Sequence, residues 1–79
     1  MERPLLLPEL NLPGVPVKVI AWLARVGEAV VEGDRLLELL AGEASFELDA
    51  PISGILLEKR VDVDDLAQPG HVLGVIRSR

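Results

Sequence analysis

The chain predicts an all-β fold built from two similar halves, and three observations carry that prediction. Short apolar stretches, two of them alternating, lie between turn signals at strand spacing. Prolines at positions 4, 8, 13, 16, 51 and 69 leave only short windows free of Pro and Gly, which leaves little room for helices. One stretch of sequence also echoes another at a constant offset of 37 positions. Two similar halves suggest two similar sheets facing each other around a pseudo-twofold axis. Two copies are too few for a solenoid.

Taken in order, the first strand pattern is Val15, Val17 and Val19 alternating with Pro16, Lys18 and Ile20, followed by Trp22-Leu23. The window Val30–Leu40 is leucine-rich enough to pass as a short helix, but Gly33-Asp34 breaks it. The leucine-rich run Leu36–Leu40 then leads into Ser45–Asp49, where Phe46 and Leu48 alternate with polar residues. Gly42-Glu43 lies between these two runs. Glycine at the first central position is the signature of a type II′ hairpin, so Glu43 should project into solvent. Pro51-Ile52-Ser53-Gly54 reads as another tight turn, and Ile55-Leu56-Leu57 and Val72–Ile76 as further strands.

The echo relates the stretch Arg25–Leu36 to Asp62–Leu73, with Gly33 matching Gly70 and Leu36 matching Leu73. Each copy reads as a turn, a short apolar piece, a glycine turn and a strand. Gly33 and Gly70 supply positive φ before strands. Gly27 does the same in the first half, and Asp64, its counterpart, is a residue type that tolerates it.

Composition narrows the function. With 79 residues the chain is one small domain, 1–79, burying about 60–65% of the surface that its unfolded chain would expose. Aromatics make up 3% against 49% hydrophobic, so the core must be Leu, Val, Ile and Ala. The absence of cysteine excludes disulfides and thiolate chemistry and suits a reducing compartment. A net charge of -5 argues against nucleic acid, whose phosphates reward clustered Lys and Arg. Leu5-Leu6-Leu7, stopped by Pro8, is too short for a signal or membrane segment. The expected location is cytoplasmic, with no membrane partner.

Other candidate sites are bland. His71, the sole histidine, reads as an exposed turn residue, because a metal site needs convergent ligands. Asp62, Asp64 and Asp65 read as turn acids. Val63 breaks the rhythm of a calcium loop. Glu43, Glu47 and Asp49 could gather near the hairpin tip, but acid–base catalysis also needs a pocket that perturbs them. Trp22 reads as core or as half-buried against a sheet. No enzyme activity and no metal are expected.

Several pieces together resemble the biotinyl/lipoyl attachment domain, the swinging-arm carrier of 2-oxo acid dehydrogenase complexes and biotin enzymes. They are Leu7-Pro8-Glu9-Leu10, Trp22-Leu23, Val26-Gly27-Glu28-Ala29-Val30, Gly33–Leu39, Ala44–Leu48, Ala50–Gly54 and Gly70–Leu73. Their order and ungapped spacing make the set fairly specific, and the opening motif and Trp-Leu look more lipoyl than biotinyl. The resemblance implies a barrel-sandwich hybrid, or hammerhead, of two four-stranded antiparallel sheets. It also implies a carrier lysine at a hairpin tip, in Asp-Lys-Ala for lipoyl members. Without gaps that lysine falls on Glu43, with Gly42 in place of the Asp and Ala44 matching the Ala. The ligase reaction needs an amine to attack an activated cofactor carboxyl, and Glu43 has none. Of the only two lysines, Lys18 lies in an early strand pattern and Lys59 follows the Ile55–Leu57 strand, so neither lies at the predicted tip.

The resulting expectation is a lipoyl-like module that carries neither lipoate nor biotin. It would act as an interaction or structural module with protein partners such as 2-oxo acid dehydrogenase components or a lipoate ligase. One alternative is a working carrier, lipoyl before biotinyl, whose attachment site lies elsewhere or is substituted in this chain. Another is a structural barrel-sandwich piece of an assembly. The pattern fills the chain, so no catalytic or peripheral-subunit-binding domain is expected to be attached.

Overall fold

The computed structural model describes residues 1–78. Eight strands follow one another: β1 (Glu2–Leu6), β2 (Val17–Trp22), β3 (Ala29–Val30), β4 (Arg35–Ala41), β5 (Ala44–Asp49), β6 (Gly54–Lys59), β7 (Leu66–Ala67) and β8 (Val72–Ser78). They form two antiparallel four-stranded sheets, in the orders β1-β8-β6-β3 and β5-β4-β2-β7. The expected barrel-sandwich architecture is therefore present. The leucine-rich window Val30–Leu40 is strand, and no helix is present among the described residues.

The 37-residue offset maps β2 onto β6, β3 onto β7 and β4 onto β8. It reaches finer detail than whole strands. The β2–β4 register shifts between Val19 and Ala21, and the β6–β8 register shifts between Leu56 and Glu58, which places equivalent bulges at Ile20 and Leu57. Gly27 and Asp64 have φ of 92° and 75°, and Gly33 and Gly70 have 93° and 87°. The Asp64 expectation holds. Its N–H donates to the Val19 carbonyl as the Gly27 N–H donates to the Leu56 carbonyl.

The turns are closed by matching side chains. Val31 N–H donates to Asp34 Oδ2 at 2.9 Å, and Gln68 N–H donates to His71 Nδ1 at 3.3 Å. Arg25 N–H donates to Glu28 Oε1 and Asp62 N–H to Asp65 Oδ2. His71 is thus a turn residue whose ring substitutes for an aspartate, and Asp62 and Asp65 share a turn. No group of acids or histidines that could hold a metal exists among the described residues.

Alternation explains the core. Val17 and Val19 face inward from β2 while Lys18 faces solvent. Leu36, Leu37, Leu39, Leu56, Leu73 and Ile76 are fully buried. Every buried residue described is apolar, as the composition requires. Phe46 and Trp22 pack against this core from its margin. Trp22 Nε1–H donates to the Val61 carbonyl at 2.9 Å and so ties the end of β2 to the chain leaving β6. Lys59 Nζ sits 5.2 Å from the indole centroid.

Two details differ from the sequence reading. Residues 51–53 form a bend, and Gly54 is the first residue of β6. Its need for glycine is spatial: a Cβ there would fall on the Arg77 carbonyl oxygen. In addition, β1 is a strand that the prolines concealed. Leu5 and Leu7 point inward, with Leu6 between them outward. Pro4 is accommodated because β1 is an edge strand, where a missing N–H breaks no ladder.

Candidate functional site

The longest hairpin in the second sheet carries the candidate site. Its strands β4 and β5 pair Leu39 with Phe46, Leu40 with Ser45 and Ala41 with Ala44. This leaves Gly42 and Glu43 as a two-residue loop. Gly42 has φ of 63° and Glu43 is absent from the positive-φ residues. Positive φ at the first central position alone is the type II′ pattern, whereas type I′ needs it at both. The sequence expectation for the turn is met, and Glu43 is exposed as expected.

The hairpin is held from beneath. Leu36, Leu37 and Leu39 of β4 are fully buried, and Phe46 and Leu48 of β5 pack on the core. These anchors fix the strands while the loop projects beyond them. Beside the loop, the segment 12–16 leads into β2, whose first residue Val17 pairs with Ala41. A Cβ placed on Gly42 would lie 3.6 Å from Val15 Cγ1, so the tip rests on this segment. That contact was not foreseen. Val15 reads as part of the β2 alternation in sequence, and only the fold carries it to the tip.

Acidic groups are spread along the hairpin without converging. Glu47 lies opposite Glu38 across β4 and β5, a like-charge pairing that costs a few tenths of a kcal/mol or more, roughly. Arg35 relieves it, with its Nη1 3.4 Å from Glu47 Oε2. Glu47 and Asp49 share the outer face of β5, while Glu43 extends from the loop. Among the described residues no side chain pairs with the Glu43 carboxylate.

Both lysines are occupied elsewhere on the sheets. Lys18 in β2 lies opposite Leu40, and its Nζ is 3.2 Å from Asp64 Oδ1. Lys59 ends β6 and covers the Trp22 ring. The tip therefore presents one exposed carboxylate and two small neighbours, Gly42 and Ala44. A carboxylate can accept hydrogen bonds and attract cations. It cannot form the amide by which a lysine holds an acyl cofactor.

Comparison with known proteins finds relatives of this sequence. The Biotin_lipoyl family model, described as "Biotin-requiring enzyme", matches residues 9–76. The dihydrolipoyllysine-residue acetyltransferase component of the pyruvate dehydrogenase complex of Corynebacterium glutamicum is 30% identical over 70 residues, covering 89% of this chain and 10% of that protein. The dihydrolipoyllysine-residue succinyltransferase component of the 2-oxoglutarate dehydrogenase complex of Bacillus subtilis is 38% identical over 58 residues, covering 73% of this chain and 14% of that protein. The acetyltransferase component of the acetoin cleaving system of Pseudomonas putida is 29% identical over 72 residues, covering 91% and 20%. The chain spans between a tenth and a fifth of the length of these relatives.

Proposed function

The chain belongs to the biotin/lipoyl attachment family, and from that premise we propose that it is a lipoyl-like module that stays unmodified and works through protein contacts. The module is related to the swinging-arm acyl carriers of 2-oxo acid dehydrogenase complexes. One observation supports the reading: the two-residue tip of the β4–β5 hairpin presents an exposed carboxylate, Glu43, at the position where the resemblance puts the carrier lysine of the family. Attachment requires an amine to attack an adenylated cofactor carboxyl. A carboxylate supplies no such nitrogen and repels the adenylate phosphate.

The rest of the domain supports a retained interaction role. The hairpin keeps its register, its II′ turn and its aliphatic anchors. The presenting scaffold is in place whichever residue stands at position 43. Among the described residues every buried side chain is apolar, so the interior holds no titratable group for burial to perturb. We therefore read the module as non-catalytic. Its proposed partners are components of a 2-oxo acid dehydrogenase complex or a lipoate ligase that reads the fold, in a cytoplasmic setting.

A paired ligase assay tests the reading. Purified wild-type protein and Glu43→Lys are incubated with lipoate, ATP and a lipoate ligase, then weighed by mass spectrometry. The expected result is no gain for the wild type and one lipoyl group on the variant, mapped to position 43. Modification of the wild type at Lys18 or Lys59 would overturn the proposal. An inert Glu43→Lys beside a loaded control domain would show that more than the amine has been lost.

A further inference from the structure

The four outer strands of the two sheets are not equally protected. β3 and β7 are two residues long. β1 carries Pro4, which blocks continuous strand addition. β5 has six residues, no proline and no lysine, and it ends its sheet with one neighbour, β4. The two-residue loop makes Ala41 and Ala44 a hydrogen-bonded pair, and bonded and unbonded positions alternate from there. The N–H and C=O groups of Ala44, Phe46 and Leu48 therefore face β4. Those of Ser45 and Glu47 point outward to the open edge.

The chemistry along that edge selects an occupant. Glu38, Glu43, Glu47 and Asp49 line or flank it, and among the described residues Arg35, held to Glu47, is the only cation on β4 or β5. A second copy of the chain adding through β5 would set these acids against their own equivalents, which strand pairing disfavours. An extended segment with Lys or Arg at alternate positions meets both demands. Its backbone satisfies the outward groups of Ser45 and Glu47, and its side chains reach the acids on the outer face.

We propose that β5 is a strand-addition site for a basic, extended segment of a partner protein. The site lies on the hairpin that presents Glu43, so a partner bound here is also held at the tip. The inference rests on the reading of the module as a protein-interaction domain, and it names the kind of segment recognised.

The test uses the full chain, first confirmed unmodified by mass, and a synthetic peptide of alternating Lys and Val flanked by Thr. A peptide with Glu in place of each Lys is the control. Amide hydrogen exchange is followed by NMR. At a basic-peptide concentration about ten times the Kd, exchange at the Ser45 and Glu47 amides should slow by about tenfold. The control peptide should leave it unchanged. Glu47→Gln and Asp49→Asn should each weaken binding by roughly two- to fivefold, and raising salt should weaken it further. Ser45→Pro, which removes an outward donor only, should abolish protection at Glu47 while leaving the fold intact by circular dichroism.

Several outcomes would overturn the proposal. One is that neither amide is protected. Another is that the peptide binds with shifts confined to segment 12–16 or to β1, and a third is that both peptides protect equally. Protection that grows with protein concentration alone would identify a second copy as the occupant and would also reject it. The mass measurement is independent of these readouts, so failure here leaves the unmodified-tip reading standing.

Discussion

Replacing Trp22 with phenylalanine should destabilise the domain by about 2 kcal/mol, because the indole ties one half of the fold to the other. Its Nε1–H donates to the Val61 carbonyl at 2.9 Å, and Val61 is only 8% exposed. Phenylalanine removes the donor and leaves that carbonyl poorly reached by water, a loss of about 1–3 kcal/mol. The ring also carries Lys59 Nζ at 5.2 Å. A partly exposed cation–π contact is worth about 0.5–1 kcal/mol, and phenylalanine keeps some of it. For a chain of this length total stability is about 4–12 kcal/mol, so the loss is a sizeable fraction. At about 4–8 °C per kcal/mol for a domain of this size, the melting temperature should fall by about 8–16 °C. Trp22 is the only tryptophan and tyrosine is absent, so the assay is calorimetry or far-UV circular dichroism. Lys59→Met, measured alongside, separates the cation–π share and should shift the melt far less. A fall below about 3 °C in Trp22→Phe would refute the argument that this bond joins the halves.

Two further comparisons probe the turns and the tight approach between strands. Gly54→Ala places a Cβ on the Arg77 carbonyl oxygen, whereas Gly33→Ala meets open space and only a φ of 93°. In urea titrations Gly33→Ala should lose about 1 kcal/mol, while Gly54→Ala should lose about 3 kcal/mol or fail to fold; equal losses would contradict the packing argument. Asp34→Ala and His71→Ala remove equivalent turn acceptors, at 2.9 and 3.3 Å from their donors. Both should cost about 0.5–1.5 kcal/mol by thermal melts, with Asp34→Ala the larger, and a costlier His71→Ala would contradict the equivalence of the two turns.

Much of the fold was legible because it is written twice. The glycine and leucine matches at a 37-residue spacing located equivalent turns and strands, and the spacing extends unchanged to the bulges at Ile20 and Leu57. The hairpin tip was legible too, because glycine before a second loop residue has a specific backbone meaning. β1 was hidden. Proline argues against a strand unless the strand is known to be at an edge, and edge position is a tertiary fact. Gly54 was read as a turn residue for the same reason: the oxygen that excludes its Cβ belongs to Arg77, distant in sequence. Val15 shows a third case. Its alternation with Val17 and Val19 suggested a continuing strand, but the strand begins at Val17 and Val15 supports Gly42 instead.

The hairpin separates what the fold provides from what the side chain provides. Register, turn type and aliphatic anchoring present position 43 to a partner whatever residue stands there. Forming the carrier amide further requires an amine at that position. On the proposed reading, a carboxylate at the tip keeps presentation and loses attachment, which leaves the domain to work through its contacts.

The most direct measurement is the intact mass of the protein isolated from its native host grown with lipoate and biotin. The proposed function requires the mass of the unmodified polypeptide. A mass raised by one lipoyl or biotinyl group would contradict it, and peptide mapping would then show whether Lys18 or Lys59 bears the cofactor.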